Sequence, residues 1–98
     1  MAYSFLSRFR VKPETRDRFV ELIGAMEANA VDEPDTLAYK FYRLGEENMF
    51  AVYESFTDEN GDKKHQANPA NAAIIAEMIG CMAGGYEREL LHDVTPAK

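Results

Sequence analysis

The sequence predicts an α+β fold, a ferredoxin-like βαββαβ chain with a split second helix and a four-stranded antiparallel sheet. Three observations carry this. Residues alternate with a period of two near the start, in the middle and near the end. An apolar stripe of helical period fills the stretch between the first and second alternating segments. Only Gly45-Glu46-Glu47-Asn48 separates the two middle segments, a connection short enough for a hairpin.

In the first segment, 3–11, Tyr3, Phe5, Phe9 and Val11 share one face and Arg8 and Arg10 lie on the other. Pro13 then opens a helix, because its missing N–H costs nothing at the first helical position. Glu14 sits in that first turn, where negative charge suits the helix dipole. Phe19, Leu22, Ile23, Met26 and Ala30 form one stripe, and Pro34 ends the element. The second strand, 36–44, sets Leu37, Tyr39 and Phe41 against Ala38, Lys40 and Tyr42. The third, 49–56, is rich in strand-forming residues. Asp58 reads as the N-cap of a short helix to about Ala67, with Asn60-Gly61 weakening its first turn. Asn68-Pro69 breaks that helix. A further helix carries Ala72, Ile75, Ile79 and Met82 on one face with Met78 beside them, and Gly84-Gly85 stops it. Residues 86–94 read as the last strand, and the tail from about 95 as loose. The whole of 1–98 reads as one domain.

Both faces of the third strand are apolar, with Phe50 and Val52 on one side and Met49, Ala51 and Tyr53 on the other. Helices cover one face of such a sheet. A second copy of the chain is the expected cover for the other, so a homodimer is predicted.

Composition narrows the partners. Eleven basic residues against 17 acidic leave a net charge of −6, which repels nucleic acid and anionic membranes alike. Cys81 is the only cysteine, so neither an intrachain disulfide nor a Cys-only zinc site can form. A free thiol fits a reducing compartment. The first residues do not resemble a secretory leader, and no apolar run approaches the roughly 20 residues of a membrane span. The expected location is cytoplasmic. Six Phe and five Tyr point to an aromatic-lined cavity or an apolar subunit interface as well as a core.

The third strand and the helical segment after it are distinctive. Phe50-Ala51-Val52-Tyr53-Glu54-Ser55-Phe56, then Asp58, then His65 nine residues after Phe56, resembles the antibiotic-biosynthesis-monooxygenase-like family of dimeric α+β barrels. There a strand ending in Glu-x-Trp leads into a short helix carrying a histidine. Tyr39-Lys40-Phe41-Tyr42-Arg43 is similar to the family's second strand, and Phe9-Arg10-Val11-Lys12-Pro13 to its first strand and turn. The resemblance implies a cofactor-independent monooxygenase acting on a small electron-rich aromatic of quinol or anthrone type. Phe56 stands where the family usually has tryptophan. The first strand offers Leu6 or Ser7 but no asparagine, which counts against haem degradation. The alternative is a non-enzymatic small-molecule-binding protein on the same scaffold. Haem binding is a weaker third reading.

His65 is the candidate catalytic residue. A histidine of ordinary pKa, about 6.5, can take a proton from a phenol at neutral pH. Capping the adjacent helix is its structural alternative. Phe50 and Phe56 are the candidate aromatic walls. Glu54 shares their face, where a carboxylate is costly unless paired or protonated. It reads either as a pocket acid or, preferably, as the partner of Arg8, Arg43 or Arg88. Tyr53, with Tyr39 and Tyr42, could donate hydrogen bonds to a substrate, although each also suits a core or interface. Met26, Met78 and Met82 read as packing residues and His92 as a surface or interface group. Asp58, Glu59, Asp62 and His65 match no metal-ligand spacing, so no metal is expected; that no other cofactor is needed is what the family resemblance implies.

Overall fold

The computed structural model describes residues 2–95. The chain runs β1 (Tyr3–Arg10), a single 3₁₀ turn (Pro13–Thr15), α1 (Arg16–Val31), β2 (Thr36–Arg43), β3 (Met49–Phe56), α2 (Glu59–Ala67), α3 (Pro69–Cys81) and β4 (Glu87–Leu91). The strands form one antiparallel sheet in the order β2-β3-β1-β4, the ferredoxin-like arrangement. Apart from Thr95, the tail expected to be loose lies outside the described residues.

Two helix boundaries fall earlier than the proline and glycine signals suggested. Helix α1 ends at Val31, before Pro34, because Asp32 already folds back with its N–H on the carbonyls of Asn29 and Ala30. Helix α3 ends at Cys81, three residues before Gly84. Met82 turns extended there and bridges to Val11, and the Ala83 N–H reaches the Arg10 carbonyl. The joint ties the end of α3 to the end of β1. The last strand is also shorter than 86–94, and Tyr86 is left outside it.

The core lies between the sheet and the helices. Phe9, Phe19, Leu22, Met26, Phe41, Phe50, Val52, Met78 and Cys81 pack as one cluster. Phe50 is part of it, stacked parallel on Phe9 and tilted against Phe19 at a centroid distance of 5.3 Å. The α1 stripe is thus confirmed, with Phe19, Leu22, Met26 and Ala30 all buried. Leu37 does not join Tyr39 and Phe41. A bulge between Thr36 and Ala38 leaves it unpaired, and it is 58% exposed.

Asp58 caps α2 as predicted, its side chain accepting from the Gly61 N–H at 2.9 Å. Gly61 itself is buried. A Cβ there would stand 3.1 Å from the Asp35 Cβ and 3.2 Å from the Phe56 Cβ, so the glycine permits close approach of α2 to β3 rather than merely weakening a turn.

Register sets up the site. Antiparallel pairing places Phe41, Val52, Ser7 and Arg88 side by side across β2, β3, β1 and β4. The next row on the same face is Tyr39, Glu54, Phe5 and Leu90. The opposite sheet face carries Leu6, Ala51 and Tyr53 on the two inner strands, with Arg8 and Arg10 beside them on β1, Met49 at the start of β3, and Lys40 and Glu89 on the outer strands.

Candidate active site

Apart from Phe5 and Leu90, those two rows form the floor of a cavity roofed by α2 and α3. It encloses about 90 Å³ and is lined by Ser7, Phe9, Tyr39, Phe41, Val52, Glu54, His65, Met78, Met82, Tyr86 and Arg88, with exposed Gln66 and Ile79 at its mouth. The walls mix apolar and polar side chains. Tyr39, Glu54 and His65 gather on one side, where α2 crosses β2 and β3, and Ser7 and Arg88 face in from β1 and β4.

His65 is there because Asn68-Pro69 ends α2 one turn later, so the imidazole points down from the last turn onto the sheet. It is 4% exposed and packs against the rings of Tyr39 and Phe56, at centroid distances of 4.8 and 5.4 Å. Its Nδ1 lies 2.7 Å from Glu33 Oε1. Glu33 stands in the loop between α1 and β2. It also accepts from Thr36 Oγ1 at 2.9 Å, Asn68 Nδ2 at 3.1 Å and Asn71 Nδ2 at 2.8 Å. Burial works to raise the Glu33 pKa, but these hydrogen bonds outweigh it and hold the carboxyl below its ordinary range. An ionised Glu33 can only accept, so His65 Nδ1 carries a proton and donates it. In the neutral ring Nε2 is therefore the free base. The Asn71 amide, buried and committed to Glu33 and the His65 carbonyl, closes the back of the cluster.

Nε2 faces Glu54, whose Oε1 is 3.8 Å away. Among the described residues no group donates a hydrogen bond to the Glu54 carboxyl. Burial drives its pKa up; Arg88 opposes this and Asp62 and Glu33 reinforce it, leaving the group at about 8. At neutral pH Glu54 is thus a protonated acid. The ion pair preferred for it on sequence grounds does not form. Arg88 binds Asp62 instead, through two hydrogen bonds of 2.7 and 3.2 Å, and lies 3.9 Å over the Phe5 ring. Arg8 pairs with Glu89. Tyr39, opposite Glu54, has its phenol raised well above the ordinary value by burial and by the charges of Glu54, Glu33 and Glu27, so it remains an O–H donor.

The structure therefore brings together His65 and Glu54 among the residues singled out in the sequence. Phe56 supports His65 from behind, fully buried and outside the cavity lining. Phe50 is also outside it, one pleat too far along β3 and consumed by the core. Tyr53 lies on the opposite sheet face, beside Ala2, Ser4 and Leu91, because strand alternation sends it away from Val52 and Glu54. Phe9, Phe41 and Tyr86 line the cavity in their place. Ser7 was findable, being the one polar residue on the face of Phe5 and Phe9. Glu33 gave no signal, since Asp32-Glu33-Pro34 reads as a solvated loop. Among the described residues no group of His, Cys, Asp and Glu side chains is arranged to hold a metal ion.

Fold and site together define a ferredoxin-like α+β protein with a histidine and a carboxyl side by side on a cavity between sheet and helices. The family model for antibiotic biosynthesis monooxygenase matches residues 3–77, and the chain belongs to that family. Among solved structures, Rv0793 from Mycobacterium tuberculosis superposes with a TM-score of 0.88 at 16% identity, covering 100% of both chains. A structure named antibiotic biosynthesis monooxygenase gives 0.88 at 19% identity, covering 97% of this chain and 100% of that one. A Caulobacter crescentus CB15 protein, provisionally given the same name, gives 0.86 at 25% identity over 96% and 91%. No curated protein matches the sequence.

Proposed function

We propose that the chain is a cofactor-independent monooxygenase acting on a small electron-rich aromatic of quinol or anthrone type. The observation that carries this reading is the orientation of His65. Its Nδ1 is held by Glu33, and its Nε2 is turned to a cavity that pairs the apolar side chains of Phe9, Phe41, Val52, Met78 and Met82 with the polar groups of Ser7, Tyr39, Glu54 and Arg88. A phenolic O–H at Nε2 would lose its proton to the imidazole, and the anion would then react with O₂. The chain supplies the base, the water-poor surroundings and the O–H donors Glu54 and Tyr39 for oxygen atoms of the substrate. Family membership and the names of the similar structures support the reaction class.

Size refines the substrate. An apolar cavity of about 150 Å³ encloses one benzene. The 90 Å³ here takes the reacting edge of one ring, with the rest in the mouth between Gln66, Ile79 and Tyr86. Single-ring quinols therefore suit it better than fused anthrones. The proposal includes a homodimer closed through the apolar sheet face, and a cytoplasmic location.

The test is oxygen uptake with substituted hydroquinones by wild type and His65→Ala. Deleting the base should cost roughly 10²–10⁴-fold in rate. The melting temperature should fall as well, since the buried ring donates to Glu33, and the rate is read at a temperature where circular dichroism shows the variant folded. Equal uptake by both proteins removes His65 from the reaction. Saturable binding with no uptake favours a small-molecule-binding protein.

A further inference from the structure

The geometry points to a second activity at the same cavity: oxygen-independent proton transfer on a small enolisable carbonyl compound, with His65 as base and Glu54 as acid. This rests on the acid–base pair of the proposed oxygenase but not on its oxygen chemistry. His65 Nε2 and Glu54 Oε1 lie 3.8 Å apart on one side of the cavity, a spacing that lets one address a carbonyl oxygen and the other the carbon beside it. Nε2 is free to accept because Nδ1 is engaged by Glu33. The Glu54 carboxyl receives no hydrogen bond from the described residues and opens only to the cavity, being 8% exposed. Burial keeps it protonated at neutral pH, so it can donate. Tyr39 adds a second O–H beside it.

An oxygenase that ionises a phenol needs a base and can use an O–H donor to orient the substrate, but a phenolate is stable enough to form without a strong acid at its oxygen. An acid held beside the base suits a weaker carbon acid, whose developing enolate must be met by a proton or a strong hydrogen bond. In the step proposed, the α-C–H bond breaks and its proton goes to His65 Nε2. The electron pair moves into the carbonyl, and Glu54 donates its hydrogen bond to the resulting enolate oxygen. His65 then returns the proton to the γ-carbon of an unsaturated ketone, giving the conjugated isomer. One C–H bond is lost and one gained, and nothing is oxidised or reduced. The cavity holds about 90 Å³ and opens at its mouth, so its inner end takes the carbonyl group and adjacent carbons of a compact ketone, or the carbonyl end of a longer one.

The probe is 3-cyclopenten-1-one, whose conversion to 2-cyclopenten-1-one is followed by the ultraviolet absorbance of the conjugated enone under argon. The expected result is a second-order rate at least about 100-fold above that of imidazole at equal concentration. It should be lost in His65→Ala and Glu54→Ala and largely kept in Glu54→Gln, which retains a hydrogen-bond donor but cannot be a carboxylate. Thermal melting of each variant establishes that it is folded. A wild-type rate no higher than imidazole's overturns the proposal, as does undiminished conversion by His65→Ala. Equal loss in Glu54→Gln and Glu54→Ala overturns the assignment of Glu54 as a donor. The two activities separate cleanly. Enone formation without quinol-dependent oxygen uptake removes the oxygenase and leaves the proton-transfer pair, and oxygen uptake without enone formation does the reverse.

Discussion

At the scale of single residues the site depends on which carboxyl keeps its proton. Glu33 is ionised under four donors, two on each oxygen. Glu33→Gln puts an amide NH₂ where two of those donors point. It should destabilise the fold by about 3 kcal/mol, the order expected for two lost hydrogen bonds to a charged group. It should also release the tautomer of His65, read from the ¹⁵N shifts of the imidazole. Because folding lowers the Glu33 pKa, its contribution is present at neutral pH and lost as pH falls through the folded-state value. Glu54 runs the other way. Its folded-state value is raised to about 8, so the folded state holds a proton that the unfolded chain releases near pH 4.5. Stability therefore falls as pH rises between those values. Chemical denaturation across pH 5–9 should show that decline in wild type and a flat profile in Glu54→Gln. Equal slopes would mean that Glu54 is ionised. The sequence showed that Glu54 could not be an ordinary surface carboxylate. It could not show how the problem is solved, since that depends on Asp62, 26 residues before Arg88, taking both of that arginine's hydrogen bonds.

At the scale of elements, close packing decides more than local propensity. Alanine is the better helix former by about 1 kcal/mol. Yet Gly61→Ala should destabilise by about 1–3 kcal/mol, because the new methyl meets Asp35 and Phe56 at distances that force α2 off the sheet. Urea titration decides it, and an unchanged or raised midpoint would show that α2 yields freely. Since α2 carries His65, the same variant should lose His65-dependent activity. All four strands and the apolar stripe of α1 were legible from periodicity, which records which face is buried. The sequence placed the split of the second helix at Asn68-Pro69 because proline acts on its immediate neighbour. Helix ends, the bulge at Leu37 and the fate of Tyr53 were less legible. Those outcomes are set by pairing partners far along the chain, such as Met82 on Val11, or by which of two apolar faces meets the helices.

At the scale of the whole molecule, the sheet has helices on one face and Leu6, Met49, Ala51 and Tyr53 on the other. If that second face closes a homodimer, Leu6→Arg together with Tyr53→Glu should convert the protein to monomers in light scattering while leaving the secondary structure intact. A monomeric wild type at micromolar concentration would refute the dimer. The four-strand topology follows from element order alone, whereas a cavity made by residues of every strand and two helices does not. Strand β4 gives that cavity a property in time as well as in space. Its five residues are all solvent-exposed and pair only with β1, so it is the part of the sheet that opens most easily. Arg88 leaves with it, and Asp62 would then be a charge without a counterion inside the protein. That cost latches an otherwise loose edge. Amide exchange in β4 should accelerate sharply once the latch is removed, and the rate at which ligands enter and leave would follow the lifetime of one arginine–aspartate contact.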